Sequence, residues 1–317
     1  MKKNLIAILL CCLHLGAFAQ SAEVTNYITE ITTIIKKNSL VAGQINWAEY
    51  EKEVSELSKN INSIDSCKPV LNYIIKTLKK NGDHHSFFMS KTSVEKFTKS
   101  PPQPKHAEGR LLNPHTGYIK VPAIMSFNER VNNAYRDTIQ QLIKKLDTEN
   151  EITAWVVDLR GNTGGNMWPM VAGLNALIKD GTAGYWVHKN NKRDKWYSYG
   201  RGFMGTGRFY KVKNMSVPIA VLIDSFTASS GEMTAISFIG LRNVKTFGTP
   251  SAGYTTSNFT YRLSNGDVLQ LANSYAADRK KNIYKERIDP DVHIKENTKT
   301  ADDTIDAALQ WVTKESS

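Results

Sequence analysis

The chain has 317 residues, enough for a substantial core in one large domain or two small ones. With 41% apolar and 22% charged residues and no long low-complexity tract, its composition excludes a disordered chain. The net charge of +11 comes from scattered lysines with short clusters at Lys79-Lys80 and Arg279-Lys280-Lys281, not from the aromatic-laced basic stripe of a nucleic-acid protein.

The first twenty residues read as a secretory signal peptide. Lys2 and Lys3 form a positive start, Leu5 to Leu15 is an apolar run broken by His14, and Ala17-Phe18-Ala19 is a small-x-small cleavage pattern before Gln20. The alternative is an uncleaved anchor, although the run is shorter than the roughly 20 residues of a membrane helix. Cys11 and Cys12 follow Leu9 and Leu10, where a lipoprotein site wants a small residue, so lipidation is not expected. Removal of residues 1–19 lowers the charge from +11 to +9 and predicts an exported protein with no stable membrane span. It also leaves Cys67 as the only thiol, too few for an internal disulfide or a cysteine-based zinc site. Cys67 sits beside Val70 and Leu71 on a helical pattern and reads as core filler.

Residues 21–81 carry helical periodicity. Ile28, Ile31, Ile34 and Ile35 fall on one face, then Val54, Leu57 and Ile61, then Leu71, Ile74, Ile75 and Leu78, with Gly82 as a stop. The expectation is a bundle of about three helices within residues 20–98, ending in the segment around His85. Four prolines (Pro101, Pro102, Pro104, Pro114) mark residues 99–116 as a linker.

From residue 117 to 317 the pattern becomes strand–helix alternation. Strands are expected at Gly117–Ile124, Ala154–Leu159, Pro218–Ile223 and Val244–Phe247. Helices are expected around Val131–Leu146, Trp168–Ile178 and Gly231–Leu241. Residues 258–272 alternate about Asn265-Gly266, a hairpin signal. Thr300-x-x-Asp303 resembles a capping box that opens a last helix with Ile305, Ala308, Leu309 and Val312 inward. Strands that are apolar throughout argue an α/β (α+β) core.

Two loops follow buried strands and precede helices, where open α/β sheets place their ligands. The first, Asp158-Leu-Arg-Gly-Asn-Thr-Gly-Gly165, is either a close-approach loop with its N–H groups presented or simply a tight turn that needs glycine. It lacks both dinucleotide and phosphate-loop spacing. The second, Ser225-Phe-Thr-Ala-Ser-Ser-Gly-Glu232, sets hydroxyls beside unpaired N–H groups at a helix start, or is an ordinary serine cap. A third segment, Asp83-His-His-Ser-Phe-Phe88, supplies two candidate bases, or a polar loop. No second compact cluster accompanies it, so no metal is expected.

In this order, D-L-R-G-N-T-G-G, T-A-S-S-G-E and F-G-T-P-S-A-G together resemble the C-terminal-processing (tail-specific) serine peptidases over about residues 83–295. The resemblance implies a crotonase- and ClpP-like core of stacked ββα units, peptide or unstructured protein substrates, and no cofactor. It places the nucleophile at Ser229. The lysine base of many members falls on Tyr254, and Lys245 has the wrong spacing. A branch without the PDZ domain, which includes the tricorn core enzymes and the nisin resistance protein, uses a histidine in a D-x-H-S-like segment. That slot holds His85, with His84 as the rival. About thirty residues separate His85 from Gly117, too few for a PDZ insertion. The resemblance further implies an oxyanion hole from the Ser230 N–H with that of Gly164 or Gly165. Glu232, Glu286 and Asp291 are the candidates for a carboxylate that orients the base. The competing readings are a peptide-binding relative that has lost its chemistry and an acyl-CoA enzyme of the crotonase type; an exported chain disfavours the second.

Overall fold

The computed structural model describes residues 21–126, 128–179, 181–198, 210–295 and 302–316. The expected signal peptide (residues 1–19) and Thr300 of the expected capping box lie outside these residues.

The N-terminal helices form where the apolar periodicity requires. Ser21 accepts from Val24 N–H and starts α1 (Ala22–Asn38), which buries Val24, Tyr27, Ile28, Ile31 and Ile35 along one face. Asn46 caps α2 (Trp47–Ser58), and Pro69 sits in the first turn of α3 (Lys68–Lys80). Cys67 is fully buried among these helices. The bundle does not close on itself. Its core includes Leu263, Leu269, Leu271 and Ala272 from the far end of the sequence.

Those four residues belong to a hairpin of β9 (Thr256–Arg262) and β10 (Val268–Ala277), which turns at Asn265-Gly266 with Gly266 at φ +93°. Strand β10 is the spine of a sheet. Along one side it pairs with β1 (Phe87–Met89) and with β5 (Thr182–His188), which carries β6 (Arg193–Tyr197) outside it. Along the other side it pairs with β9 and the short β11 (Ile283–Tyr284). Helix α4 (Lys91–Lys99) follows β1.

The second sheet runs β2 (Glu108–Asn113), β3 (Thr116–Lys120), β4 (Ala154–Asp158), β7 (Ile219–Ile223), β8 (Val244–Gly248), β12 (Val292–His293), and only β2 is antiparallel to its neighbour. All five residues of β4 and of β7 are buried, because helices cover both faces. Trp155, Val157, Val221 and Ile223 face α5 (Glu129–Glu149), α6 (Met167–Gly173), α7 (Asn175–Ile178) and α8 (Ser230–Ile236). Ala154, Val156, Ala220 and Leu222 face α9 (Asp303–Ser316). The mixed α/β class expected from the sequence is the class of the structure.

The structure adds three features. Residues 108–113, inside the expected linker, form strand β2, whose partner β3 is fixed by burial against Trp155. The hairpin β5–β6 has too many charges around its turn to read as paired strands. The helix expected over Trp168–Ile178 is divided at Leu174 into two short helices, and Gly173 before the break lies so close to Ile139 that a Cβ there would approach the isoleucine to 2.8 Å. The boundaries at residues 98 and 116 also do not divide the chain into separate cores: β1 lies inside the β10 sheet and the bundle packs on that sheet.

This shared core predicts cooperative loss of bundle and hairpin together. Leu269→Ala should cost about 2–5 kcal/mol, as a buried large-to-small change does. Urea unfolding followed by far-UV and tryptophan signals should show one coincident transition at lower denaturant; two separated transitions would contradict the shared core.

Candidate active site

The loops after β4 and β7 are laced together beneath the site. Thr227 Oγ1 donates to Leu159 O (3.0 Å), Ala228 N–H donates to Asn162 O (2.9 Å), and Gly161 N–H donates to the Asp224 carboxylate (3.0 Å). Asn162 is fully buried; its Nδ2 donates to Val121 O (2.9 Å) and its Oδ1 accepts from Gly164 N–H (3.0 Å). Gly231 passes so close that a Cβ there would sit 2.4 Å from Asn162 O, which leaves glycine alone at that position.

Ser229 stands between Ala228 and α8 with φ 52° and ψ −117°. For a residue with a side chain this is a strained conformation that surrounding structure must hold. Glu232 holds it. Its buried Oε2 accepts from Ser229 N–H (2.7 Å) and Tyr254 N–H (2.9 Å), and its Oε1 accepts from Ser251 Oγ (2.5 Å) and Gly253 N–H (2.9 Å). Burial pushes the Glu232 carboxyl above its ordinary pKa, and the four hydrogen bonds oppose that push. Three of the four partners are backbone N–H groups, which can only donate, and such bonds favour the ionised carboxylate.

Two N–H groups beside Ser229 have no partner among the described residues: those of Ser230 and Gly165. The Gly164 N–H is taken by Asn162. A Cβ on Gly164 would lie 2.9 Å from Ser230 N, and one on Gly165 would lie 2.1 Å from Ile124 O, so both positions require glycine, at φ +98° and +108°. Ser230 Oγ donates to Gly165 O (2.6 Å) and fixes the two loops in register.

His85 comes from the turn between α3 and β1. The Asp83 carboxylate, itself buried, accepts from His85 N–H (3.1 Å), Ser86 N–H (2.9 Å) and Ser86 Oγ (2.5 Å), while Ala272 N–H donates to Ser86 Oγ (2.9 Å). The imidazole Nδ1 lies 3.1 Å from Thr256 O and 3.0 Å from Thr256 Oγ1. A carbonyl only accepts, so Nδ1 carries the proton and Nε2 presents its lone pair. Burial lowers the His85 pKa below 6.5, against the raising effects of Asp83 and the Thr256 carbonyl. The Tyr254 ring packs on the imidazole at 5.3 Å between centroids. His84, one residue earlier, is exposed.

None of the three carboxylates considered from the sequence hydrogen-bonds His85 among the described residues. Glu232 serves the loop of Ser229, Asp291 accepts from Thr246 N–H (2.8 Å) and Thr246 Oγ1 (2.9 Å), and the Glu286 side chain is exposed. The group on Nδ1 is Thr256, which carried no signal in the sequence because a backbone carbonyl can come from any residue. Lys245 is exposed on β8, over the Trp311 ring at 5.4 Å. Among the described residues, no three His, Cys, Asp or Glu side chains converge as a metal site.

A strained serine at the head of a helix, two N–H groups without partners among the described residues, and an imidazole tied through Thr256 and Tyr254 to the anchor of that serine are parts that a serine peptidase uses. The chain belongs to peptidase family S41, whose sequence model matches residues 115–294, a span that starts beyond His85. It is 33% identical to the nisin-resistance protein of Lactococcus lactis subsp. lactis over 84% of this chain and 80% of that protein. It is 27% identical to the chloroplastic carboxyl-terminal-processing peptidase 2 of Arabidopsis thaliana over 50% of this chain and 28% of that one. Among solved structures, a lipoprotein from Streptococcus agalactiae superposes with TM-score 0.75 at 27% identity, over 91% of this chain and 96% of its own. A photosystem II D1 C-terminal processing protease shares the fold, with TM-score 0.61 at 12% identity over 87% and 94% of the two chains.

Glu232→Ala should strand several buried donors at once and cost about 3 kcal/mol or more in stability. Chemical denaturation checks this; a carboxylate that only oriented the base would be removed with little change in stability.

Proposed function

We propose that the chain is an exported endopeptidase that cuts peptides or flexible C-terminal tails through Ser229 and His85. The observation that carries this reading is the protonation geometry of His85: Nδ1–H is held by Thr256, so Nε2 keeps a free lone pair, and the stretch that holds it runs through Tyr254 to the same Glu232 oxygen that binds Ser229 N–H. In this reading Ser229 Oγ attacks the scissile carbonyl carbon while its proton passes to His85 Nε2. The Ser230 and Gly165 N–H groups receive the oxyanion. The C–N bond then breaks, His85 returns the proton to the leaving amine, and water, deprotonated by His85, hydrolyses the acyl-enzyme. No bond joins Ser229 Oγ to His85 among the described residues, and such contacts commonly tighten only around substrate.

Met125 beside Gly165, Phe226 in the loop before Ser229 and Tyr254 next to Glu232 are exposed on the segments that build the site, and favour apolar residues near the cut. A relative called a lipoprotein and another named for nisin resistance support an envelope location, as does the N-terminal sequence. No helix among the described residues is long and apolar enough to cross a membrane.

Ser229→Ala should abolish covalent labelling by a fluorophosphonate and lower peptide turnover by several orders of magnitude. Mass spectrometry locates the adduct; labelling at Ser225 or Ser230, or none in the wild type, would reject this nucleophile.

The base works when neutral. Because burial lowers its pKa, kcat/KM should stay level at neutral pH and fall on acidification with a midpoint below 6.5. His85→Ala should remove activity, whereas the exposed His84→Ala should retain it. A pH–rate profile on one peptide checks the sign, and a midpoint well above neutrality would point to a different base.

A further inference from the structure

Strand β9 leads away from the site. It starts at Thr256, whose carbonyl holds His85, two residues after Tyr254, whose N–H shares Glu232 Oε2 with Ser229. Among the described residues it pairs with β10 alone, on one side.

Its backbone has a fixed parity. Leu263 N–H donates to Asp267 O, and Thr255 O accepts from Ala276 N–H, so the odd-numbered residues from 255 to 263 turn their polar backbone towards β10. The even-numbered residues turn theirs outward. The outward carbonyl of Thr256 meets His85. The outward N–H and C=O groups of Asn258, Thr260 and Arg262 meet nothing among the described residues. The first of these lies about 7 Å along the strand from the carbonyl that holds the base.

An open edge normally carries charges or proline that deter pairing. The outer strand β6 does so, with Arg193, Asp194 and Lys195 in its five residues. Strand β9 reads Thr-Ser-Asn-Phe-Thr-Tyr-Arg, a β-prone run with one charge, at its far end. Phe259 is 55% exposed and stacks on Tyr261 at 5.0 Å between centroids. The sheet thus keeps a pairing-competent edge at β9, which starts at the carbonyl that holds His85, while its outer strand β6 is charged.

We propose that the open edge of β9 at Asn258, Thr260 and Arg262 holds the main chain of the substrate as an added strand and feeds its scissile bond to Ser229. The proposal rests on the peptidase reading above. The ligand class is an extended polypeptide recognised by backbone hydrogen bonds, with Phe259 offering an apolar contact to alternate side chains. Selectivity would lie in the ability of a segment to become extended, which folded substrates lack.

The test is an N-methyl scan of a decapeptide that the wild-type chain cuts, chosen from a random-sequence pool. Methylation should lower kcat/KM about three- to tenfold at every second residue on one side of the cut, and little at the residues between. Thr260→Pro removes an outward N–H while sparing the ladder to β10. In that variant the penalty should shrink at one of the sensitive positions, with thermal unfolding measured alongside; if it does not fold, Arg262→Pro at the strand end serves the same comparison. Cleavage without period-two sensitivity would overturn the proposal and leave the peptidase reading intact, as would full sensitivity retained in both proline variants. No cleavage and no fluorophosphonate labelling would remove both. A concentration-dependent dimer that Thr260→Pro dissociates, with no periodic sensitivity, would assign the edge to a second copy of the chain and overturn the proposal.

Discussion

One buried charge organises this site. The Glu232 carboxylate has no solvent exposure and is bound by four donors drawn from two separate stretches, Ser229 on one side and Ser251, Gly253 and Tyr254 on the other. Taking a carboxylate out of water is costly, and this one is tolerated because every lone pair is met. The requirement works in both directions. The donors are fixed by the charge, and so is the strained backbone of Ser229. The same stretch runs through Tyr254 into Thr256, so the placement of His85 depends on the same anchor.

His85, the proposed base, arrives from the other end of the chain by a different route. Asp83 folds the turn that carries His85, and Ser86 ties that turn to Ala272 on β10. The helices before it pack on the same strand through Leu269 and Leu271. The N-terminal bundle is therefore the foundation of the histidine, since its shared core fixes the sheet against which the turn is braced. Deleting it would expose the apolar residues of the β9–β10 hairpin to water and so unsettle the sheet itself.

Tyr254 occupies the position that holds a lysine in many members of the family the sequence resembles. Its ring lies against the imidazole and contributes to its desolvation, which favours the neutral form. A cation there would instead repel a protonated histidine and compete for the serine proton. The exchange is physically coherent: burial favours the neutral histidine, which an aromatic neighbour does not oppose, and the Thr256 carbonyl sets which nitrogen is free.

Much was legible in the sequence because it rests on local pattern. The helices of residues 21–81, the apolar strands β4 and β7, the Asn265-Gly266 hairpin and the glycine-rich turn follow from periodicity and from conformations that only glycine adopts cheaply. The run around Ser229 and the pair at His84 and His85 could be named as chemistry without any structure. The tertiary structure decided what depends on contacts between distant segments. It separated His85 from His84 by burial, left Gly165 rather than Gly164 with a free N–H, turned Glu232 into an anchor, and put a backbone carbonyl on the histidine where a carboxylate was sought. It also made strand β2 out of an apparent linker and merged the bundle with β9 and β10. Side-chain pattern records which face of an element is apolar, but not which distant backbone group will meet it, and at this site the deciding partners are backbone groups.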